Sequence, residues 1–349
     1  MALTAPACAD EWPRSTPAQL ELDAQGLDAL VRDLREGRLP YVRSLLVARH
    51  GRLAVEEYAA GVSPDDLQHL QSVTKTVTSA LIGIAVERGL LSLDESVVDV
   101  LEPFHPTLRF DDARKRSITI EHLLTMRSGT GYHERGFDSP HSRLNQMASG
   151  WPRYYLDLPM LRDPGTHFQY DSGGVILLSS ILHARSGLHA DAFAEKYLFG
   201  PLGISNVRWF RNREGHPHTG GGLWMRPRDV AKVGQLYLQG GRWEGRQVVP
   251  ASWVARSTSR QVRLERPTES ASGYGYLWWI RSLAPGDAPN GDGVISAEGF
   301  QGQYLFLVPS MDLVVVVTSK APVPEQDRPI EFLYTHILGQ GSVPAAPAP

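Results

Sequence analysis

A mixed α/β (α+β) fold is predicted by three features of the 349-residue sequence: a hairpin signal near its start, several short β-rich runs near its end, and helical periodicity between them. In chain order, residues 44–48 and 53–58 are strand-like and flank His50-Gly51-Arg52, a good hairpin turn. Residues 73–89 form a long apolar segment. Val73, Val77, Leu81, Ile84 and Ala85 recur at helical spacing there, and Lys75 is the one charge between Ser72 and Ile84, so most of this helix is expected to be buried. Residues 176–186, 191–197 and 229–238 carry helical periodicity and start signals. Residues 276–280, 294–297, 304–308 and 313–317 read as strands separated by Gly, Pro, Asn and Asp, with Pro309-Ser310-Met311-Asp312 as a turn. The division that follows is an α/β region at 1–60 and 251–340, a mainly helical region at 61–250, and a disordered low-complexity tail at 341–349.

Composition limits the function. A hydrophobic content of 42% is ample for a sizeable core. The net charge of −3 arises from 35 basic and 38 acidic residues without a long block of either sign, which argues against nucleic acid and against an anionic membrane surface as partners. No apolar stretch has the length of a membrane span. The one cysteine, Cys8, excludes an intrachain disulfide. Ala5-Pro6-Ala7 before Cys8 looks like the end of a secretory leader, but the charged and apolar regions of a leader are missing. The expected location is therefore cytoplasmic, with periplasmic or secreted as the alternative if a leader has been removed.

Ser72-Val73-Thr74-Lys75 heads the buried helix. Residues three apart share a helix face, so the Lys75 amine comes within reach of the Ser72 hydroxyl. A serine alcohol needs a neighbour to take its proton, and a lysine desolvated by apolar surroundings is pushed toward its neutral form. Alone, a Ser-x-x-Lys is more often a helix cap and a snorkelling lysine. Its context is what changes that reading.

Around it in the chain stand Trp12-Pro13 and Gly26-Leu27-Asp28 before it, and Leu123-Leu124-Thr125-Met126-Arg127-Ser128-Gly129, Pro164-Gly165-Thr166-His167-Phe168-Gln169-Tyr170-Asp171-Ser172-Gly173-Gly174, Gly221-Gly222-Leu223-Trp224-Met225-Arg226-Pro227-Arg228-Asp229 and Gly299-Phe300-Gln301-Gly302-Gln303-Tyr304 after it. In this order and with these spacings the chain resembles the serine beta-lactamase-like hydrolases: class C beta-lactamases, DD-peptidases, family VIII esterases and 6-aminohexanoate-dimer (nylon-oligomer) hydrolases. The resemblance covers nearly the whole chain. It implies a beta-lactamase/DD-peptidase-like fold, an antiparallel sheet built from both chain ends and flanked by helices, with an all-helical subdomain inserted after the first hairpin. The cleft would lie between the two regions.

The same resemblance implies the site. Ser72 is the acylated nucleophile, and Tyr170 is the family's Tyr-x-Asn/Ser tyrosine, which shares the proton traffic with Lys75; which of the two is the base stays open, because coupled sites titrate as a pair. Ser172 stands where many relatives have Asn. At Ala297-Glu298-Gly299, penicillin-recognising relatives have Lys-Thr-Gly or His-Thr-Gly. Gly299 keeps the close backbone approach, so the N–H groups of Ser72 and Phe300 are expected to form the oxyanion hole, while the cation that holds a substrate carboxylate is missing. Glu298 either points into the cleft or turns away to an arginine, and Arg127 or Arg226 is a possible replacement anchor. Ser172, Gly299, Gln301 and Tyr132 are the candidate substrate contacts. The Gly-Phe-Gln-Gly-Gln form is most like the nylon-oligomer hydrolase and esterase branches.

Three other features receive plainer readings. His216 and His218 have ligand-like spacing without a partner cluster and read as a surface loop; no metal or other cofactor is expected. Tyr274, Tyr276 and Trp278 alternate at strand period and read as core. No Gly-x-Ser-x-Gly elbow, Walker loop, His-Glu-x-x-His or dinucleotide fingerprint occurs. The sequence thus predicts a serine hydrolase acting on a small ester or amide, with a beta-lactamase, a D-amino-acid peptidase or a non-turnover acyl trap as alternatives. Its oligomeric state is open.

Overall fold

The computed structural model describes residues 12–105, 111–268, 271–283 and 293–340. The 5–8 segment and the 341–349 tail discussed above lie outside them. Eight strands form one antiparallel sheet: β1 (Val42–Arg49), β2 (Arg52–Tyr58), β3 (Val262–Thr268), β4 (Ala271–Tyr274), β5 (Trp279–Arg281), β6 (Val294–Gly299), β7 (Gln303–Val308) and β8 (Leu313–Ser319). Their spatial order is β2-β1-β8-β7-β6-β5-β4-β3, so strands from both chain ends meet where β1 pairs with β8, Leu45 opposite Val317 and Leu46 opposite Val316.

Period-two alternation divides the sheet's side chains between two cores. Leu45, Val47, Phe306, Val315 and Val317 pack against helix α1 (Ala24–Arg35) and the C-terminal helical segment, through Leu27, Leu30, Leu34, Leu333 and Tyr334. Leu46, Ala48, Leu305, Leu307, Val314 and Val316 face the opposite way, into the core shared with helix α2 (Thr74–Glu87) and the rest of the helical region. In α1, Asp23 accepts a hydrogen bond from the Gly26 N–H at the start, and Arg32 and Arg35 sit in the last turn, where cations suit the helix dipole.

Helix α2 is buried from Thr74 to Ala85 without a polar face, as its composition predicts. Helix α3 (Ser172–Ser186) is buried through Leu182, is capped by the Asp171 side chain accepting from the Gly174 N–H, and ends at Gly187 with φ +72°. Helix α4 (Pro227–Leu238) lies on the sheet. Two sequence expectations change. Residues 276–278 are not strand: Leu277 has φ +66° and the chain turns there, so β5 begins at Trp279. Tyr274, Tyr276 and Trp278 are nevertheless fully buried, as a core stripe should be. The 61–250 region also holds a small antiparallel sheet of Gln68–His69, Leu223–Met225 and Val207–Trp209, segments of three residues or fewer that carry too little pattern to read.

His216 is not on the surface. Its ring stands edge-on to His183 and His189, which stack with centroids 4.2 Å apart, and all three leave Nδ1 buried without a hydrogen-bond partner among the described residues. Burial, reinforced by the other two imidazoles, lowers the His216 pKa from its ordinary 6.5 to about 4. A base that resists protonation in the folded chain gives stability that is complete above pH 6.5 and is lost as pH falls toward 4, because the unfolded chain then binds the extra proton. The melting temperature is expected to fall across that window more steeply in the wild type than in His216→Phe. Equal slopes would mean that the cluster does not set acid stability.

Candidate active site

Ser72 lies in a tight helical turn, Gln71–Val73, that leads into α2. Gln71 is held at φ +50°, so the chain enters the helix sharply and leaves Ser72 partly exposed at its mouth. Lys75, one turn on, is 1% exposed. Its Nζ donates to Ser72 Oγ at 2.7 Å and to the Gly220 carbonyl at 2.6 Å. Burial lowers the Lys75 pKa to about 8 against the opposing fields of Glu134 and Asp171.

Gly220 escaped notice in the sequence. A Cβ there would lie 2.9 Å from the Ser172 carbonyl oxygen and 3.1 Å from Ile176, so only glycine brings this backbone onto α3 and its carbonyl to Lys75. The Gly220-Gly221-Gly222 run was the available signal.

Tyr170 ends the loop before α3. Its ring stacks on Trp279 with centroids 5.6 Å apart, and Lys75 Nζ lies 5.0 Å from the ring centre. Burial raises the phenol's pKa well above 10, Glu134 adds to the rise, and the Ser72 hydroxyl opposes it. The loop is fixed by Asp171, a buried carboxylate that accepts from Ser128 Oγ at 3.0 Å, from the Gly174 N–H at 2.8 Å and from the Tyr155 hydroxyl. Burial raises the Asp171 pKa to about 6 against those hydrogen bonds. Tyr170 and Ser172, on either side of Asp171, are thereby held beside Ser72 and Lys75.

A cleft of about 650 Å³ opens at Ser72. Ser172, Glu134, His141, Asn145, His218, His69, Trp224, Phe210 and Phe300 border it. Gly299, at the end of β6, sits so near the turn before Ser72 that a Cβ would lie 2.6 Å from the Leu70 carbonyl oxygen. This contact packs the end of β6 against the turn that carries Ser72, and both Ser72 and Phe300 border the cleft. Glu298 is turned away from the substrate space: Arg281, 3% exposed, donates to its Oε1 through Nε at 2.9 Å and Nη2 at 2.6 Å, and Ser296 Oγ adds a third bond at 2.7 Å. Arg127 and Arg226 do not border the cleft. Arg127 bonds Thr125 and the Gly165 carbonyl, and Arg226 pairs with Asp229.

A family model described as Beta-lactamase matches residues 27–340. The chain belongs to the beta-lactamase family. It is 27% identical to the 6-aminohexanoate-dimer hydrolase of Paenarthrobacter ureafaciens over 331 residues, 89% of this chain and 81% of that protein. Among solved structures it resembles EstCE1, a hydrolase with promiscuous acyltransferase activity, with TM-score 0.72 and 17% identity over 88% of this chain and 97% of that one. A class C beta lactamase from Rhodobacter sphaeroides has TM-score 0.64 and 19% identity over 90% and 98%. The beta-lactamase fold and membership of a family of serine hydrolases, which includes esterases, amidases and penicillin-binding proteins, are thus established for the chain.

Not every residue singled out in this beta-lactamase-family sequence reaches the cleft. Tyr132 is 1% exposed; its hydroxyl hydrogen-bonds His141 Nδ1 at 2.8 Å, and it lines a second cavity behind the Tyr170 loop with Ser128, Gln169 and Asp171. Gln301, with φ +65°, lies in the turn after Phe300 and is not among the residues bordering the cleft. His218, read as surface, is buried in the cleft wall, with Nε2 2.8 Å from Asn145 Oδ1. No group of three or more His, Cys, Asp or Glu among the described residues is arranged to hold a metal ion, and no helix among them is long and apolar enough to cross a membrane.

Proposed function

We propose that the protein hydrolyses small esters or amides through an acyl-enzyme on Ser72. The observation that carries this reading is the 2.7 Å contact between Ser72 Oγ and a lysine that burial has brought to a pKa of about 8. The neutral fraction of Lys75 is thus appreciable near physiological pH, whereas Tyr170 is held in its phenol form. Lys75 accepts the serine proton as Oγ attacks the carbonyl. Tyr170, beside both groups, relays a proton to the leaving alkoxide or amine. The backbone N–H groups of Ser72 and Phe300 receive the developing oxyanion, a role supported by the close approach of Gly299 to the turn that carries Ser72 and by the place of both residues on the cleft border. Water, entering along the path of the departed group, then releases the acyl chain by the reverse proton transfers.

Substrate preference follows from charge. Among the described residues that border the cleft there is no lysine or arginine, and the one cation near the β6 edge, Arg281, is spent on Glu298. A carboxylate-bearing beta-lactam or D-alanyl peptide therefore lacks the charge-assisted hydrogen bonds that such an anchor supplies. The expected result is a higher kcat/KM on uncharged p-nitrophenyl esters or linear amides with short acyl groups than on penicillins and a chromogenic cephalosporin. A beta-lactam turned over more efficiently than every ester and amide would make the protein a beta-lactamase. A burst of product equal to enzyme without a steady state would make it an acyl trap.

A further inference from the structure

Asp171 stands between Tyr170 and Ser172 and is 3% exposed. Its carboxylate takes hydrogen bonds from three separate segments: from Ser128 Oγ, from the Tyr155 hydroxyl of the helix Trp151–Asp157, and from the Gly174 N–H in the first turn of α3. All three groups are donors. The ionised form satisfies them together, whereas the proton of a neutral acid would meet the two hydroxyls that share Oδ2. Those hydroxyls have somewhere to turn, since Thr130 Oγ1 lies 3.2 Å from Ser128 Oγ and 3.3 Å from the Tyr155 oxygen. Asp171 thus has two hydrogen-bonding states, a tight one with charge-assisted bonds and a looser one with neutral bonds.

The carboxylate does not border the cleft at Ser72. It borders the second cavity, of about 370 Å³, together with Ser128, Thr130, Gln169 and Arg162. A proton from solvent therefore reaches it without passing the substrate. The titratable and charged groups that face it are Lys75 from α2, Glu134 and Tyr132 from the segment after Gly129, Tyr155, and Arg162 and His167 across the second cavity. Among these influences burial dominates and raises the Asp171 pKa to about 6, and the Asp171 charge in turn favours the ammonium form of Lys75.

We propose that Asp171 is a positioning residue whose ionised form holds Tyr170 and Ser172 in their working places, and that proton uptake through the second cavity loosens them and turns the enzyme down in mild acid. This rests on the Ser72 hydrolase reading and adds to it a second ionisation, separate from that of Lys75. The buried charge costs stability above pH 6, because the folded carboxyl is pushed up from its ordinary 3.8. That cost is what the tight grip on the loop offsets.

The test is the pH profile of p-nitrophenyl butyrate hydrolysis. Below the Lys75 limb, wild-type kcat/KM should fall first in proportion to the proton concentration and then, below about pH 6, with its square. The lower break should appear at the same pH in kcat, since the second cavity stays open to solvent when substrate fills the cleft. Asp171→Asn keeps an oxygen for the Gly174 N–H and places N–H donors where the neutral acid has its O–H, so it imitates the protonated state at every pH. It should lower the plateau of kcat roughly tenfold with KM little changed, the worth of a charge-assisted hydrogen bond exchanged for a neutral one. It should also abolish the lower break and move the Lys75 midpoint to lower pH, because the charge that favours the ammonium is gone. A merely structural Asp171 would lower the melting temperature in Asp171→Asn and leave both breaks in place. Should the variant not fold, infrared spectroscopy of the wild type still decides: the carbonyl band of a protonated buried carboxylic acid grows with the same midpoint as the lower kinetic break. A wild-type profile without a lower break, breaks unchanged in Asp171→Asn, or an infrared midpoint away from the kinetic one overturns the proposal. Turnover together with any of these outcomes leaves the hydrolase reading standing; absence of turnover on every ester and amide defeats that reading, and the proposal with it.

Discussion

Ser72→Ala is expected to abolish ester and amide turnover and to remove covalent labelling by a fluorophosphonate, while leaving the fold intact. The argument is one of position. Ser72 is the hydroxyl that the buried Lys75 ammonium contacts, and it opens onto the cleft at the start of α2. Ser128 is buried with its hydroxyl given to Asp171, and among the described residues Lys75 Nζ gives its hydrogen bonds to Ser72 Oγ and the Gly220 carbonyl, not to Ser172, so neither serine has an equivalent base. Replacing Oγ with hydrogen deletes the nucleophile, and with it the whole acyl-enzyme pathway, an effect of many orders of magnitude. Intact mass spectrometry decides the matter. A persistent adduct on the alanine variant, or one mapped to Ser128 or Ser172, would move the nucleophile elsewhere.

The parts of this arrangement legible in the sequence are those set by local periodicity. Ser72 and Lys75 are three apart on one segment, so their contact follows from helix geometry once the apolar run shows that the helix is buried. Three interior strands of the eight-stranded sheet were equally plain, because β1, β7 and β8 are largely apolar and buried on both faces. Tyr170 was legible only through its flanking motif, since nothing local relates it to a helix almost a hundred residues earlier. Glu298 shows where pattern runs out. Its direction is decided by Arg281, which reaches it across the β5–β6 pairing, a partner on another strand that alternation along β6 does not reveal. His218 was misplaced for a related reason. Its carbonyl accepts from Trp209 Nε1, and this bond folds the 210–218 loop back into the cleft wall, a tertiary contact that Gly215 and Pro217 conceal by looking like surface punctuation.

Lys75→Arg should be nearly as damaging as Lys75→Ala, and Tyr170→Phe should also cost activity by roughly 10²–10⁴-fold, the usual contribution of a positioned acid or base. The two substitutions test different halves of the proton path. Arginine preserves the positive charge and a donor to Ser72 Oγ, but a guanidinium keeps its proton and cannot act as the base. The wild-type kcat/KM on a neutral ester should therefore rise with pH through an apparent pKa of about 8, as the buried lysine loses its proton, and this limb should disappear in both Lys75 variants. The sign is fixed by burial: the folded lysine gives up its proton at about 8, well below its ordinary 10.5, so activity is gained, not lost, as pH rises through 8. Tyr170 is pushed the other way, well above 10, and at these pH values is a phenol that can pass a proton on but not hold a negative charge. Tyr170→Phe should accordingly lower the plateau and leave the midpoint near that of the wild type, the more so on an amide, whose departing nitrogen needs a proton more than a p-nitrophenolate does. Because the two groups interact, the midpoint belongs to the pair, and a displacement in Tyr170→Phe measures their coupling. Retention of more than about a tenth of wild-type kcat/KM, far outside that 10²–10⁴-fold range, would remove the substituted residue from the mechanism; a pH limb that survives in Lys75→Ala would assign the base to another group.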